Sequence, residues 1–156
     1  MALLKTGFAA KALQQGWLIR LLKVVVPPLD RLLLRISRGW LNTAMQTVVL
    51  METLGARSGQ RRETVTLCMP EGMDLLLVGS NWGQARHPAW VFNLRKHPEA
   101  TVTFRGYRGP AVASELQGAE RASAWARLVE YNPQYAVYDA QTERELPVIR
   151  LSRVRR

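Results

Sequence analysis

Apolar and polar residues change their spacing once along this chain, near residue 47. Before that point Leu3, Leu4, Phe8, Ala12, Leu13, Trp17, Ile19, Leu22 and Val26 recur among separated cations, at intervals that approximate one helical face. The spacing predicts an amphipathic helix over residues 3–26. Pro27-Pro28 should end it, because proline has no N–H to donate and disfavours helical geometry in the residue before it. Leu29, Leu32, Leu33 and Ile36 then predict a second, short helix running to Gly39.

From Thr47 onward, runs of β-formers alternate with turn residues, the texture of a small antiparallel sheet or barrel. The expected strands are Thr47 to Leu54, Glu63 to Met69, Leu75 to Gly79, Thr101 to Phe104, Ala111 to Ser114 and a closing Pro147 to Leu151. Glu71-Gly72-Met73 supplies one turn, and Gly106-Tyr107-Arg108-Gly109 reads as a hairpin loop. Two helices are expected among the strands. Pro88 to Lys96 opens with a proline in its first turn, and Gly118 to Tyr131 is rich in alanine and charge. The fold class is mainly β with helices (α+β). A basic amphipathic segment over 1–46 precedes one domain over 47–156.

Composition narrows the partners. With 156 residues, 47% of them apolar, the chain can bury one core. Its net charge of +10 implies an anionic partner, whether nucleic acid, acidic lipid or a phosphorylated cofactor. Residues 1–46 hold Lys5, Lys11, Arg20, Lys23, Arg31, Arg35 and Arg38 against Asp30 alone. A basic amphipathic helix of this kind suits an anionic membrane surface, and packing on the barrel is the competing reading. Nucleic acid is not expected, since no reading helix, zinc module or RNP-type aromatic strand is present.

The lone Cys68 lies in an apolar run and reads as a small buried hydrophobe of a reducing cytoplasm. His87-Pro88 and His97-Pro98 lack partners at ligand spacing, so no metal is expected. No run reaches the ~20 apolar residues of a membrane-spanning helix, and no export signal is evident. The expected location is therefore cytoplasmic, extended by the amphipathic segment to peripheral attachment on the inner face of the cell membrane.

Three segments carry chemistry. Thr53-Leu54-Gly55-Ala56-Arg57-Ser58-Gly59-Gln60-Arg61-Arg62 joins two expected strands, and its N–H groups and guanidiniums can converge on one phosphate. An ordinary hairpin loop with solvated arginines competes with that reading. Gly79-Ser80-Asn81-Trp82 leads from a strand into the helix carrying Trp90 and Asn93, where freed backbone groups can meet a heterocycle edge and tryptophans can wall a ring. Tyr131, Tyr135 and Tyr138 surround Pro133, and their phenols suit a quinone-like acceptor, with helix packing as the alternative.

Together these blocks resemble the deazaflavin-dependent nitroreductase family, the coenzyme F420-dependent reductases of actinobacteria. The matching residues are Thr53, Gly55, Ser58, Gly59 and Arg62, then Ser80, then His87, Pro88, Trp90, Asn93 and Leu94. Tyr131, Tyr135, Tyr138, Thr142, Arg144, Leu146 and Pro147 complete the series. The resemblance implies a split β-barrel of FMN-binding-like fold over 47–156, and hydride transfer from reduced F420 to a lipophilic quinone, with nitro compounds as incidental substrates. By the same resemblance Arg57, Ser58, Gly59, Arg61, Arg62 and Thr64 hold the phosphate and anionic tail. Gly79, Ser80, Asn81, Trp90 and Asn93 would surround the deazaflavin, and Ser80, Tyr131, Tyr135 and Tyr138 would serve the acceptor. A related split-barrel protein binding FMN or haem, or without this activity, is one alternative, and a basic nucleic-acid-binding protein is the other. Where relatives commonly carry Lys-Gly after the serine, this chain has Asn81-Trp82.

Overall fold

The structure is a computed structural model that describes residues 16–154, with side chains from residue 20. The expected helical turns before Gly16 and the final Arg155 and Arg156 lie outside the described residues. The elements are α1 (Gly16–Ile36), β1 (Val48–Leu54), β2 (Arg61–Leu67), β3 (Met69–Glu71), β4 (Asp74–Val78) and α2 (Ala89–Lys96). There follow β5 (Glu99–Phe104), β6 (Tyr107–Glu115), α3 (Gly118–Tyr131), α4 (Gln134–Ala140) and β7 (Val148–Arg153). A short 3-10 turn, Asn81–Gly83, stands between β4 and α2.

The seven strands form one sheet in the order β2-β1-β5-β6-β7-β4-β3, antiparallel throughout. Curling brings β2 into contact with β4, well separated from it in that order, and gives the split barrel. Strand alternation sorts the apolar residues onto two faces. Val49, Met51, Leu75, Leu77, Ile149 and Leu151 point inward with Trp90, Val91 and Leu94 of α2. Leu76, Val78 and Val148 point outward against Ala124, Leu128 and Tyr135 of α3 and α4. Val48 and Leu50 take a third cluster with Leu34 of α1. Cys68 is buried in the inner cluster, as its apolar run implied.

Four expectations need correction. The helix does not stop at Pro27-Pro28: α1 runs through both, losing two rungs of its backbone ladder without ending. The expected strand Glu63 to Met69 divides at Cys68, whose N–H makes the last bond of the β1–β2 register, to Thr47 O at 3.0 Å, before Met69 changes partner to Leu76 of β4. The hairpin loop is two residues rather than four, because Arg105 and Gly106 both take positive φ (40° and 84°), the tight turn that matches strand twist. The closing strand runs past the expected Leu151, for Arg153 lies in β7 and its Nε donates to Met73 O.

The same hairpin turn fastens α1. Gly106 N donates to Arg38 O at 2.6 Å and Arg105 N to Gly39 O at 3.2 Å. A side chain at Gly39 would meet Phe104 Cα at 2.6 Å, so only glycine lets the two backbones approach.

Candidate functional site

The loop between β1 and β2 closes on its own backbone: Gly55 N donates to Gln60 O and Gly59 N to Gly55 O, each at 2.8 Å. Helix α2 then holds it from below. Ala56 N donates to Asn93 Oδ1 at 2.9 Å, Asn93 Nδ2 donates to Thr53 Oγ1 at 3.1 Å, and Lys96 Nζ donates to Ala56 O at 2.7 Å. Asn93 is only 7% exposed, so both ends of its amide are occupied by this loop. With the backbone satisfied, the cations are left over. Arg57, Ser58, Gly59, Arg61 and Arg62 are exposed. Among the described residues Arg57, Arg61 and Arg62 have no carboxylate partner, whereas Arg35, Arg95, Arg108, Arg121, Arg127 and Arg150 each have at least one.

Register tells which way β2 presents its residues. Arg62 lies opposite Thr53 and Thr64 opposite Met51. Opposed residues share a face, and Met51 belongs to the inner core, so Arg62 and Thr64 sit on the inner side of β2. Val65 faces the other way, against the Leu34 cluster. An edge strand thus carries a guanidinium and a hydroxyl into the barrel's split. That donor set, with the exposed Arg57, Ser58 and Arg61, fits a phosphodiester or a polycarboxylate tail.

The second loop leaves β4. A side chain at Gly79 would meet Pro147 Cγ at 2.7 Å and Val91 Cγ2 at 2.8 Å, so glycine is what lets β4 pass α2 and the start of β7. Arg144 pins the backbone of this loop. It donates from Nη1 to Gly79 O (3.1 Å), from Nη2 to Ser80 O (2.8 Å) and from Nε to Gln84 O (2.8 Å). Its Nη1 also lies 2.8 Å from His87 Nδ1. A guanidinium can only donate, so Nδ1 accepts and the imidazole proton sits on Nε2. Burial lowers the His87 pKa and the Arg144 charge lowers it further, which keeps the ring neutral. Asn81 turns inward, with Nδ2 donating to Arg86 O at 2.9 Å. Ser80 is half-buried and Trp82 is 72% exposed.

The three tyrosines do not share one environment. Tyr131, at the end of α3, is 49% exposed, and Tyr138 is half-buried. Tyr135 is 3% exposed within the outer core beside Leu128 and Leu146, and burial pushes its phenol up to about 12. Trp90 is likewise a core residue, 6% exposed in the inner cluster, rather than the wall of an open groove. Helix α4 abuts the second loop, for a side chain at Gly83 would meet Tyr138 O at 3.1 Å. A cleft of about 610 Å³ elsewhere, at Arg38, Thr101 and Arg108, shares no lining residue with these loops.

Two residues that build the site give little sign of it in the sequence. Arg144 stands there only as a motif position. Lys96 carries no signal at all, because its bond reaches a carbonyl 40 residues away.

Known proteins resemble this chain in sequence and in fold. A curated F420H(2)-dependent quinone reductase of Mycobacterium tuberculosis is 31% identical over 108 residues, covering 67% of this chain and 72% of that protein. A solved structure described as an F420-H2 dependent reductase superposes with a TM-score of 0.62 at 35% identity, covering 67% of this chain and 93% of that one. Another, described as a domain-swapped dimer, gives 0.64 at 29% identity, covering 79% and 95%. The family model F420H(2)-dependent quinone reductase matches residues 33–152. That span includes both loops, the helix beneath them and the tyrosines, and the chain belongs to the F420H(2)-dependent quinone reductase family.

Proposed function

We propose that this chain reduces a lipophilic quinone with hydride from reduced coenzyme F420. The observation that carries the reading is the set of guanidiniums without carboxylate partners, on a loop already satisfied internally and fixed to α2. Cations held in place without a carboxylate are a standing site for an anion. Arg57, Ser58, Gly59, Arg61, Arg62 and Thr64 hold the phosphate and anionic tail, and Gly79, Ser80 and Asn81 meet the deazaflavin edge. Asn93 and Trp90 act beneath the ring, Asn93 by holding the loop and Trp90 by filling the core.

When bound, the reduced deazaflavin supplies a hydride from its C5 position. The protein's part is alignment and charge stabilisation at the acceptor oxygen. Ser80, Tyr131 and Tyr138 donate hydrogen bonds there. Tyr135, buried and with its phenol raised to about 12, stays protonated and supports the helix that carries Tyr138.

The lipophilic acceptor and the exposed stripe of α1 support one further step in the same reading. Leu22, Val25, Leu29, Leu32 and Ile36 recur on one helical face, all exposed, with Arg20, Lys23, Arg31 and Arg38 exposed around them. No helix among the described residues is long and apolar enough to cross a membrane. In this reading α1 lies on an anionic bilayer surface of the cytoplasmic face, next to a membrane-dissolved acceptor.

The test is oxidation of reduced F420 by the full chain with and without menadione. Menadione-dependent turnover is expected, and its absence contradicts the reading. Flotation with phosphatidylglycerol vesicles tests the membrane step. Replacing Leu29, Leu32 and Ile36 by Gln should abolish flotation while sparing turnover of a water-soluble quinone.

A further inference from the structure

We propose that Trp82 is the platform on which a planar acceptor stacks, which makes it the acceptor-selecting residue of this site. The inference rests on the proposed reductase function and deepens it.

Asn81, Trp82 and Gly83 take φ of 45°, 53° and 75°, three consecutive residues in the left-handed region. The last is glycine and asparagine tolerates the region, so Trp82 is the residue whose side chain occupies a backbone it disfavours. Such strain persists where surrounding structure over-determines it, and it clusters at ligand sites. The restraints here are specific. Arg144 fixes the carbonyls of Ser80 and Gln84 on either side, Asn81 Nδ2 donates to Arg86 O, and Gly83 N donates to Ser80 O at 2.9 Å. Gly83 is itself wedged against the end of α4, where an added side chain would meet Tyr138 O at 3.1 Å and, just past the helix, Gln141 Oε1 at 2.6 Å.

What this strained segment displays is an indole in water. Trp82 is 72% exposed, and among the described residues no ring or guanidinium stacks on it. A tryptophan that served folding would be buried, and a turn that served only the chain would be better made by glycine. The remaining role is to offer a flat apolar face from a rigid mount, which lowers the ordering cost of stacking. Its position selects the occupant. Trp82 stands two residues past Ser80 and one before the contact with the tyrosine-bearing α4, on the outer lip of the site. The guanidiniums that suit an anionic coenzyme lie on the other loop.

The experiment compares the full chain with Trp82→Phe and Trp82→Gly, each loaded with reduced F420 and given menadione. Trp82→Gly should raise the melting temperature by relieving φ strain, yet raise the menadione KM roughly ten-fold, the worth of one good aromatic contact. Its coenzyme Kd and kcat should stay within about two-fold, and Trp82→Phe should recover most of the KM. Equal KM in all three proteins overturns the inference while leaving the reductase reading intact. A parallel loss of coenzyme affinity overturns it by assigning the indole to the coenzyme. A wild type that fails to oxidise reduced F420 overturns the reading and this inference together.

Discussion

The two loops at the mouth of the split barrel are supported by different means. In the β1–β2 loop the amide of Asn93 and the ammonium of Lys96 hold the backbone, and the guanidiniums of Arg57, Arg61 and Arg62 are left over. In the β4–α2 loop a guanidinium, Arg144, holds the backbone, and an aromatic ring is left over. Cations are frequent in this chain, so their presence in a loop says little about binding. What separates a binding arginine from a building one is whether carbonyls and carboxylates already occupy it. Arg144 is occupied by three carbonyls and an imidazole, whereas Arg57 and Arg61 have no such partner among the described residues.

Removing the building cation should do the most damage. Arg144→Ala leaves the carbonyls of Gly79, Ser80 and Gln84 without their donor and should cost about 3 kcal/mol in urea unfolding, with loss of turnover. Arg144→Lys should not rescue it, since an ammonium cannot reproduce the fork. Next comes the building amide. Asn93→Ala strands Ala56 N–H and Thr53 Oγ1 and should cost about 2 kcal/mol while also weakening coenzyme binding.

The left-over cations should behave in reverse. Arg62→Ala is expected to change stability by less than about 0.5 kcal/mol but to weaken coenzyme affinity about ten-fold in a fluorescence titration. If Arg62→Ala unfolds the protein as readily as Arg144→Ala, the contrast between the loops fails.

The smallest effect concerns pH. The folded His87 pKa lies below its unfolded value near 6.5, so the unfolded chain binds the proton more readily. The stability His87 contributes is therefore full above about pH 6.5 and declines as pH falls through the folded pKa. His87→Gln should flatten that acid slope in thermal melts between about pH 7 and 5, and an unchanged slope would assign it to other groups.

Much of the barrel was legible in the sequence because strand and turn chemistry is local. Glu71-Gly72-Met73, the Pro88 start of α2 and the Gly118 to Tyr131 helix all follow from neighbours in the chain. The tight Arg105-Gly106 turn was not, because a non-glycine residue at positive φ carries no signature in composition. Pro27-Pro28 misled for the opposite reason: a strong local rule was overridden in a helix continuous on both sides. At the site, composition found the cationic loop but could not tell occupied arginines from unoccupied ones. That distinction depends on bonds such as Arg144 to Gly79 O, spanning 65 residues. The tyrosine cluster left acceptor contact and helix packing both open, and the chain break at Asn132-Pro133 divides it: Tyr131 ends α3 in solvent, whereas Tyr135, on α4, turns into the core.

The most direct test is a titration of the full chain and an Arg57→Ala/Arg62→Ala variant with F420, beside FMN. The account predicts that wild type prefers F420, and that the double variant loses at least about thirty-fold in F420 affinity with its melting temperature unchanged. Equal F420 affinity in the two proteins, or a wild type that prefers FMN, would contradict it.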